Sequence, residues 1–382
     1  MRAQHEVAHV LKKHWPKVES HPNINRWQLR TLGALMRCRT NAMGGHIYAC
    51  KACGVERISY NSCRNRHCPK CQGKNREDWI RKREGELLPV PYFHVVFTLP
   101  DALNGLAMGK PKEVYDTLFE AAWETVATFA SDPQHLGAKA GMVSILHTWG
   151  QTLSLHPHLH CIVPGGGLTK QGKWKAAKGK KKSGKRKAKY LFPVKAMSKV
   201  FRAKYVEKLK YKIPDLDKAL ASSLFEKDWV IYAKRPFGHP KAVLEYLGRY
   251  THKIAISNHR IREVGKDTVT FGYKDYRQGA KKLEMELDAM EFIRRFSMHV
   301  LPRGFMRIRH YGILSSSSKK ASIPEILGQL EKDINKAKEV RTLETYNPKV
   351  CPCCKEEALI PIGVINKRGP PVWKKSLDYI TN

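Results

Sequence analysis

The chain has 382 residues, 42% hydrophobic and 27% charged, enough apolar material for two or three domains, which excludes a wholly disordered protein. Its 70 Lys+Arg against 34 Asp+Glu give a formal charge of +36 and a pI near 9.9, an excess that attracts polyanions, nucleic acid foremost. No run approaches the roughly 18 to 20 apolar residues of a membrane span and the start lacks the apolar stretch of a signal peptide, so a cytoplasmic protein without membrane contact is expected.

In chain order, apolar positions at helical spacing (Val7, Val10, Leu11, Trp15, then Trp27, Leu29, Leu32, Leu35 and Met36) predict two helices split at His21-Pro22. A polar Cys/His-rich stretch follows over 38–71, then a basic helix over 76–88. The run Phe93-His94-Val95-Val96-Phe97-Thr98-Leu99 reads as a strand and 111–131 as a helix. Residues 141–151 and 158–163 read as neighbouring strands. Eleven Lys/Arg and no acid occur between Lys170 and Lys189, which reads as a flexible basic insert; the other +25 is spread over the folded parts. Helix is expected over 196–212 and 240–250, strand over 229–233, 253–257, 261–264 and 268–273. A polar linker at 315–320 and a charged helix over 323–343 precede a thinly apolar tail. The mixture predicts an α+β fold.

Six of the ten cysteines fall between Cys38 and Cys71 and three between Cys351 and Cys354, clustering that suits metal ligands in a reducing compartment better than disulfides. Cys50-x2-Cys53 and Cys68-x2-Cys71, fourteen residues apart, read as two knuckles of one tetrahedral zinc. Cys38, His46, Cys63 and His67 have the right types and number for a second zinc interleaved with the first. Four ligands close such a site to water, so these zincs are structural. Arg64, Arg66 and Lys70 within this stretch point to DNA contacts. Cys351-Pro352-Cys353-Cys354 is half of a further knuckle. It would need ligands from upstream or from another subunit, and the reading preferred here is a vestigial one.

His156-Pro157-His158-Leu159-His160 places histidines at alternating positions. On a strand, His158 and His160 share a face and can offer two imidazoles to one metal. In Tyr246-Leu247-Gly248-Arg249-Tyr250 the i, i+4 spacing puts two phenols on one helix face. Together these residues fit a metal-assisted attack of tyrosine on phosphorus, with two tyrosines allowing two successive covalent steps.

These motifs resemble the two-tyrosine, rolling-circle insertion-sequence transposases of the HUH nuclease superfamily, in the IS91-like group. The resemblance runs from Cys38-Arg39-Thr40, Gly44-Gly45-His46 and Tyr60-Asn61-Ser62-Cys63-Arg64-Asn65-Arg66-His67-Cys68-Pro69-Lys70-Cys71 through Phe97-Thr98-Leu99-Pro100. It continues through His156-Pro157-His158-Leu159-His160-Cys161, Tyr190-Leu191-Phe192-Pro193 and Tyr246-Leu247-Gly248-Arg249-Tyr250-Thr251-His252 to Arg307-Ile308-Arg309-His310-Tyr311-Gly312. It implies a zinc-binding domain followed by an HUH domain with a central antiparallel sheet flanked by helices.

The resemblance further implies that His158 and His160 bind a catalytic Mg or Mn and that Tyr246 and Tyr250 are the nucleophiles. The third ligand is expected at Gln151, with His156 competing, and Arg249 joins the DNA-binding set. The expected organisation is an N-terminal helical segment (1–37), a zinc-binding DNA-recognition domain (38–88), the catalytic domain (89–312), and a linker, charged helix and tail (313–382). The implied activity is cleavage and rejoining of single-stranded DNA at element ends, single-stranded or hairpin, through a 5′-phosphotyrosine. The bacterial cytoplasm, on the nucleoid when DNA-bound, is the implied location. Two alternatives stand beside it: a plasmid replication initiator or relaxase of the same superfamily, and a non-enzymatic zinc-ribbon nucleic-acid binder.

Overall fold

The apolar spacing at the N-terminus does form two helices, α1 (Val7–Glu19) and α2 (Arg26–Arg37). Asn25 starts α2 with a capping box: its side chain accepts from the Gln28 backbone N–H while the Gln28 side chain accepts from its own. In this computed structural model the described residues are 3–72, 77, 80, 86–177, 180–182, 185–187, 191–233, 243, 253–276, 278–330, 347–367 and 372–373.

Strands β1 (Gly45–Cys50) and β2 (Glu56–Tyr60) precede β3 (Tyr92–Thr98), α3 (Pro111–Ser131), β4 (Gly141–Trp149) and β5 (Leu155–Pro164). Short pairs follow, β6 (Gly166–Leu168) with β7 (Trp174–Ala176) and β8 (Lys180–Lys182) with β9 (Lys185–Lys187). The basic insert, expected to be a flexible excursion, thus carries a short ladder where it is described. Next come α4 (Val194–Lys212), β10 (Ile231–Ala233), β11 (Ile261–Val264), β12 (Thr268–Asp275), β13 (Lys281–Asp288), α5 (Ala289–Met298), β14 (Ile308–Gly312), α6 (Lys319–Leu330), β15 (Leu359–Ile365) and β16 (Val372–Trp373). The strand expected over 253–257 is irregular backbone leading into a 3-10 turn at Asn258–Arg260. Most of the helices expected over 76–88 and 240–250 lies outside the described residues.

The fold is α+β. Its central sheet has the order β10-β3-β5-β4-β14, with every neighbouring pair antiparallel. Alternation along the strands gives this sheet two different faces. Val95 and Phe97 of β3, Met142 and Leu146 of β4, and Leu159, Cys161 and Val163 of β5 pack beneath α3 and α4, where Phe119, Phe201 and Tyr205 are fully buried. Each large apolar side chain so buried stabilises by about 1.5–3 kcal/mol. The opposite face is apolar at one end only: Tyr92, Val143, Ile145 and Ile162 pack with Val243 and with Ile323 and Ile326 of α6. At its other end this face carries histidines.

A second core joins the chain's beginning to its later part. Val7, Leu11, Leu32 and Leu35 pack against Ile256 of the segment before β11 and against Ile261, Val269, Phe271, Phe292 and Phe296 of the three-stranded sheet β11-β12-β13 and α5. Trp27 Nε1 donates to Leu301 O at 2.9 Å and Gln28 Nε2 to Ser297 O at 3.0 Å, which fixes α2 on the last turn of α5 and the segment after it. The remaining sheet, β16-β15-β1-β2, draws strands from both ends of the chain.

Candidate functional site

β4 and β5 form a hairpin whose register pairs His147 with His158 and Ile145 with His160. Directly opposed residues of antiparallel strands share a face, so His147, His158 and His160 converge on the face that α3 and α4 leave uncovered. One ligand nitrogen from each lies within 4.8 Å of the other two. The third member of this group is therefore His147. The candidates from sequence occupy other places: His156 lines the same cavity with its ring 5.1 Å from that of His158, and Gln151 contributes to the cavity wall while its carbonyl accepts from Arg260. His147 and His158 are equidistant from the hairpin tip at Thr152 and Leu153. Folding the two expected strands about that midpoint would have found His147.

Partners hold each ring in orientation. His158 Nδ1 donates to the carbonyl of His156 at 2.7 Å, which leaves Nε2 as its lone-pair nitrogen. His160 Nδ1 meets His94 Nε2 of β3 at 3.0 Å, and with the proton on Nδ1 its Nε2 is also a ligand atom. His147 stacks on Trp149 at 4.6 Å between centroids. Burial lowers the His158 pKa to about 4, and burial together with the neighbouring imidazoles of His147 and His158 takes that of His160 well below the ordinary value. His158 and His160 thus favour the neutral, metal-binding form, and the donor set of the three imidazoles suits a divalent cation with positions left open toward the cavity.

That cavity holds about 680 Å³ and is lined by the triad with Val96, Thr98, Trp149, Gln151, Lys253, Tyr273 and Tyr276. Its wall combines cations, which suit phosphate, with aromatic faces, which suit unpaired bases. Arg307, nearly wholly buried, donates to the Lys253 carbonyl at 3.2 Å and fixes that lysine's backbone at the mouth. Val243 is buried on the same sheet face, in helical conformation. Tyr246, Arg249 and Tyr250, which follow it in the chain, lie outside the described residues.

The cysteines sort differently from the expected sets. Cys38, Cys63, Cys68 and Cys71 form one group, with Sγ···Sγ separations of 3.6 Å for Cys38–Cys71 and 3.7 Å for Cys63–Cys71. Cys50 and Cys53 belong to another, with Cys351 and Cys354. The first group sits at the C-terminus of α2 within the core shared with β11–β13. Sulfur–sulfur contact at this range makes the thiols compete for protons: Cys38 is drawn down to about 7 by its neighbours Cys63 and Cys68, while those two are pushed upward. Four thiolates so close require a cation between them.

His46 and His67 are in neither group. His46 lies on β1 with its ring near Tyr48, and His67 is buried facing Arg66, Arg307 and His299. Of the expected DNA-contacting residues, Arg64 is exposed. Arg66 instead donates to the carbonyls of Pro302 and Phe305, and Lys70 pairs with Glu6 at 2.7 Å, so both tie the cysteine module to its surroundings. Among the described residues, no helix is long and apolar enough to cross a membrane.

An open histidine triad on an antiparallel sheet, next to a cysteine-rich metal module, is joined here to two matching family models. One described as "Transposase zinc-binding domain" matches residues 10–99, and one described as "Putative transposase" matches residues 141–322. The class is thus a DNA transposase with a structural zinc domain. The chain belongs to the IS91 family of insertion-sequence transposases. It is 38% identical over 405 aligned positions to "Putative transposase y4qJ" of Sinorhizobium fredii, covering 98% of this chain and 100% of that one. It is 27% identical over 332 positions to "Transposase for insertion sequence element IS801" of Pseudomonas savastanoi pv. phaseolicola, covering 83% of this chain and 77% of that protein. No solved structure matches.

Proposed function

We propose that this transposase binds the ends of its element and cleaves and rejoins one DNA strand by tyrosine attack, in rolling-circle-type transposition. The observation that carries this reading is the triad of His147, His158 and His160: three converging imidazoles, two oriented by hydrogen bonds and the third stacked on Trp149, lining an open cavity. Bound there, Mg or Mn would polarise a non-bridging phosphate oxygen. Tyr246 or Tyr250 supplies the nucleophile. The phenolic oxygen bonds to phosphorus as the bond from phosphorus to the 3′ oxygen breaks. The phenolic proton passes to solvent, and a 3′-hydroxyl and a 5′-phosphotyrosine result. The covalent link conserves the energy of the phosphodiester, so the second tyrosine can support rejoining without a nucleotide cofactor.

Support for the tyrosines comes from Val243. It is buried with Val143, Ile145 and Ile162 on the histidine face, three residues before Tyr246 in the chain. Single-stranded or hairpin ends are the favoured substrate, because Trp149, Tyr273 and Tyr276 offer stacking faces around the cavity. The Cys38, Cys63, Cys68 and Cys71 group holds a structural zinc, and Arg64 and Arg249 contribute to the grip on DNA.

The test is an SDS-resistant adduct formed by the full-length protein with single-stranded element ends in Mg or Mn. Wild type should form it and Tyr246→Phe/Tyr250→Phe should not. Tyr273→Phe/Tyr276→Phe, which removes the two cavity phenols, should retain it. Loss of the adduct only in that second variant would move the nucleophile to β12 and its following turn and overturn the assignment.

A further inference from the structure

The second cysteine group joins residues from the two ends of the chain. Cys50 and Cys53 flank the end of β1, and Cys351 and Cys354 precede β15, some 300 residues later. Between the two half-sites, the sulfurs of Cys50 and Cys354 and those of Cys53 and Cys351 are each 3.7 Å apart. A tetrahedral zinc with Zn–S bonds of about 2.3 Å needs sulfurs about 3.8 Å apart. A disulfide would bring them to about 2.05 Å.

The two half-sites are also the same structure. In the first, the Cys50 N–H donates to Val55 O at 3.0 Å and Gly54 N–H to Cys50 O at 2.9 Å, with Gly54 at φ +71°. In the second, the Cys351 N–H donates to Glu356 O at 2.7 Å and Lys355 N–H to Cys351 O at 2.9 Å, with Lys355 at φ 66°. Each is a Cys-x2-Cys turn closed by a residue in the left-handed region immediately after its second cysteine. A lysine bears a steric cost there that glycine does not, so this geometry is imposed rather than merely permitted. Cys353, inside the second turn, is exposed and belongs to no group.

Little else fills this part of the molecule. Its core consists of Cys50, Cys351 and Leu359, edged by Tyr48, Cys354 and Ala358. A cluster of that size does not hold a four-stranded sheet in water without a cross-link. β1 pairs with β15 from Gly45↔Ile365 to Cys50↔Leu359, so whatever fastens the knuckles also closes this ladder.

We propose that Cys50, Cys53, Cys351 and Cys354 bind a second structural zinc, which clasps the C-terminal segment onto the N-terminal cysteine module. The site lies partly outside both matched family regions, which end at residues 99 and 322. It is independent of the cleavage chemistry proposed above. Removing the segment after residue 346 would leave Cys50 and Cys53 with half a ligand set and β1 without β15.

Metal content of the reduced full-length protein tests this. Wild type should carry two zinc equivalents, and a cobalt titration should show two four-thiolate sites. Cys351→Ser/Cys354→Ser should carry one, and Cys353→Ser should keep two. One equivalent in wild type, or two in the double serine variant, would overturn the proposal. Should the double serine variant not fold, Cys354→His keeps a zinc ligand: it should retain two equivalents, with one cobalt spectrum shifted to three thiolates and an imidazole. Two unshifted four-thiolate spectra would exclude Cys354 as a ligand. The clasp itself is read by placing a specific protease site between residues 330 and 347. After cleavage the C-terminal fragment should stay with the protein until a chelator is added, and release before chelation would refute the clasp.

Discussion

The histidine triad and the inner cysteine group each gather side chains around one point, yet they are built in opposite ways. The cysteines number four, come from the end of α2 and from turns, and sit inside the core shared by α1, α2 and the β11–β13 sheet. The histidines number three, stand on two regular strands, and face a cavity. Four ligands complete a tetrahedron and leave no position for substrate, whereas three leave room for chemistry. The contrast teaches that ligand count and access, more than residue type, separate a site built to hold a fold from one that would leave a metal open to substrate.

This difference can be broken from either side. The largest effect is expected from Cys63→Ser/Cys68→Ser: zinc is lost from the inner group, and folding, DNA binding and cleavage fail together, since structural zinc supplies roughly 10–16 kcal/mol in small modules. His158→Ala should instead abolish cleavage while the melting temperature and DNA binding stay near wild type. Equal losses of binding in the two variants, measured by filter retention beside calorimetry, would erase the distinction.

A smaller effect sharpens the histidine side. His94 meets His160 Nδ1 from the neighbouring strand, so it would orient the proposed ligand without belonging to the triad. His94→Ala should lower metal affinity or cleavage by about 10–100-fold, with activity recovering as Mn is raised. A fall that no metal concentration repairs would assign His94 a purely structural role.

The last effect is a matter of pH, and concerns stability rather than cleavage. His299 is fully enclosed, accepting from Thr148 Oγ1 at 3.2 Å and donating to Leu153 O at 3.1 Å, and burial holds its pKa at about 4 against the ordinary 6.5. The unfolded chain takes up this proton first. The stability held above pH 6.5 is therefore lost as pH falls toward 4, by about 3 kcal/mol. Urea midpoints measured between pH 7 and 4 should fall less steeply in His299→Gln than in wild type, and parallel slopes would count against His299 as the source.

Much of this was legible in the residues. The Phe93–Leu99 run became β3, 111–131 became α3 with the expected bounds, and the alternation of His158 and His160 did put both imidazoles on one face, because side-chain period on a strand is a local property. β13, α5 and β14 were not anticipated. β13 is an edge strand alternating Lys, Glu and apolar residues, so its pattern is that of a solvated surface.

The sequence by itself determined which residue types could bind metal, that Cys-x2-Cys turns would form, and that a basic chain of this kind would act on nucleic acid. Only the tertiary structure decided who pairs with whom. Knuckle spacing is short-range, and nothing in it says whether Cys50 and Cys53 join Cys68 and Cys71 nearby or Cys351 and Cys354 three hundred residues on. That choice follows from β15 adding to β1. His147 likewise joined His158 and His160 through cross-strand register, set by the hairpin turn and by the hydrophobic face beneath.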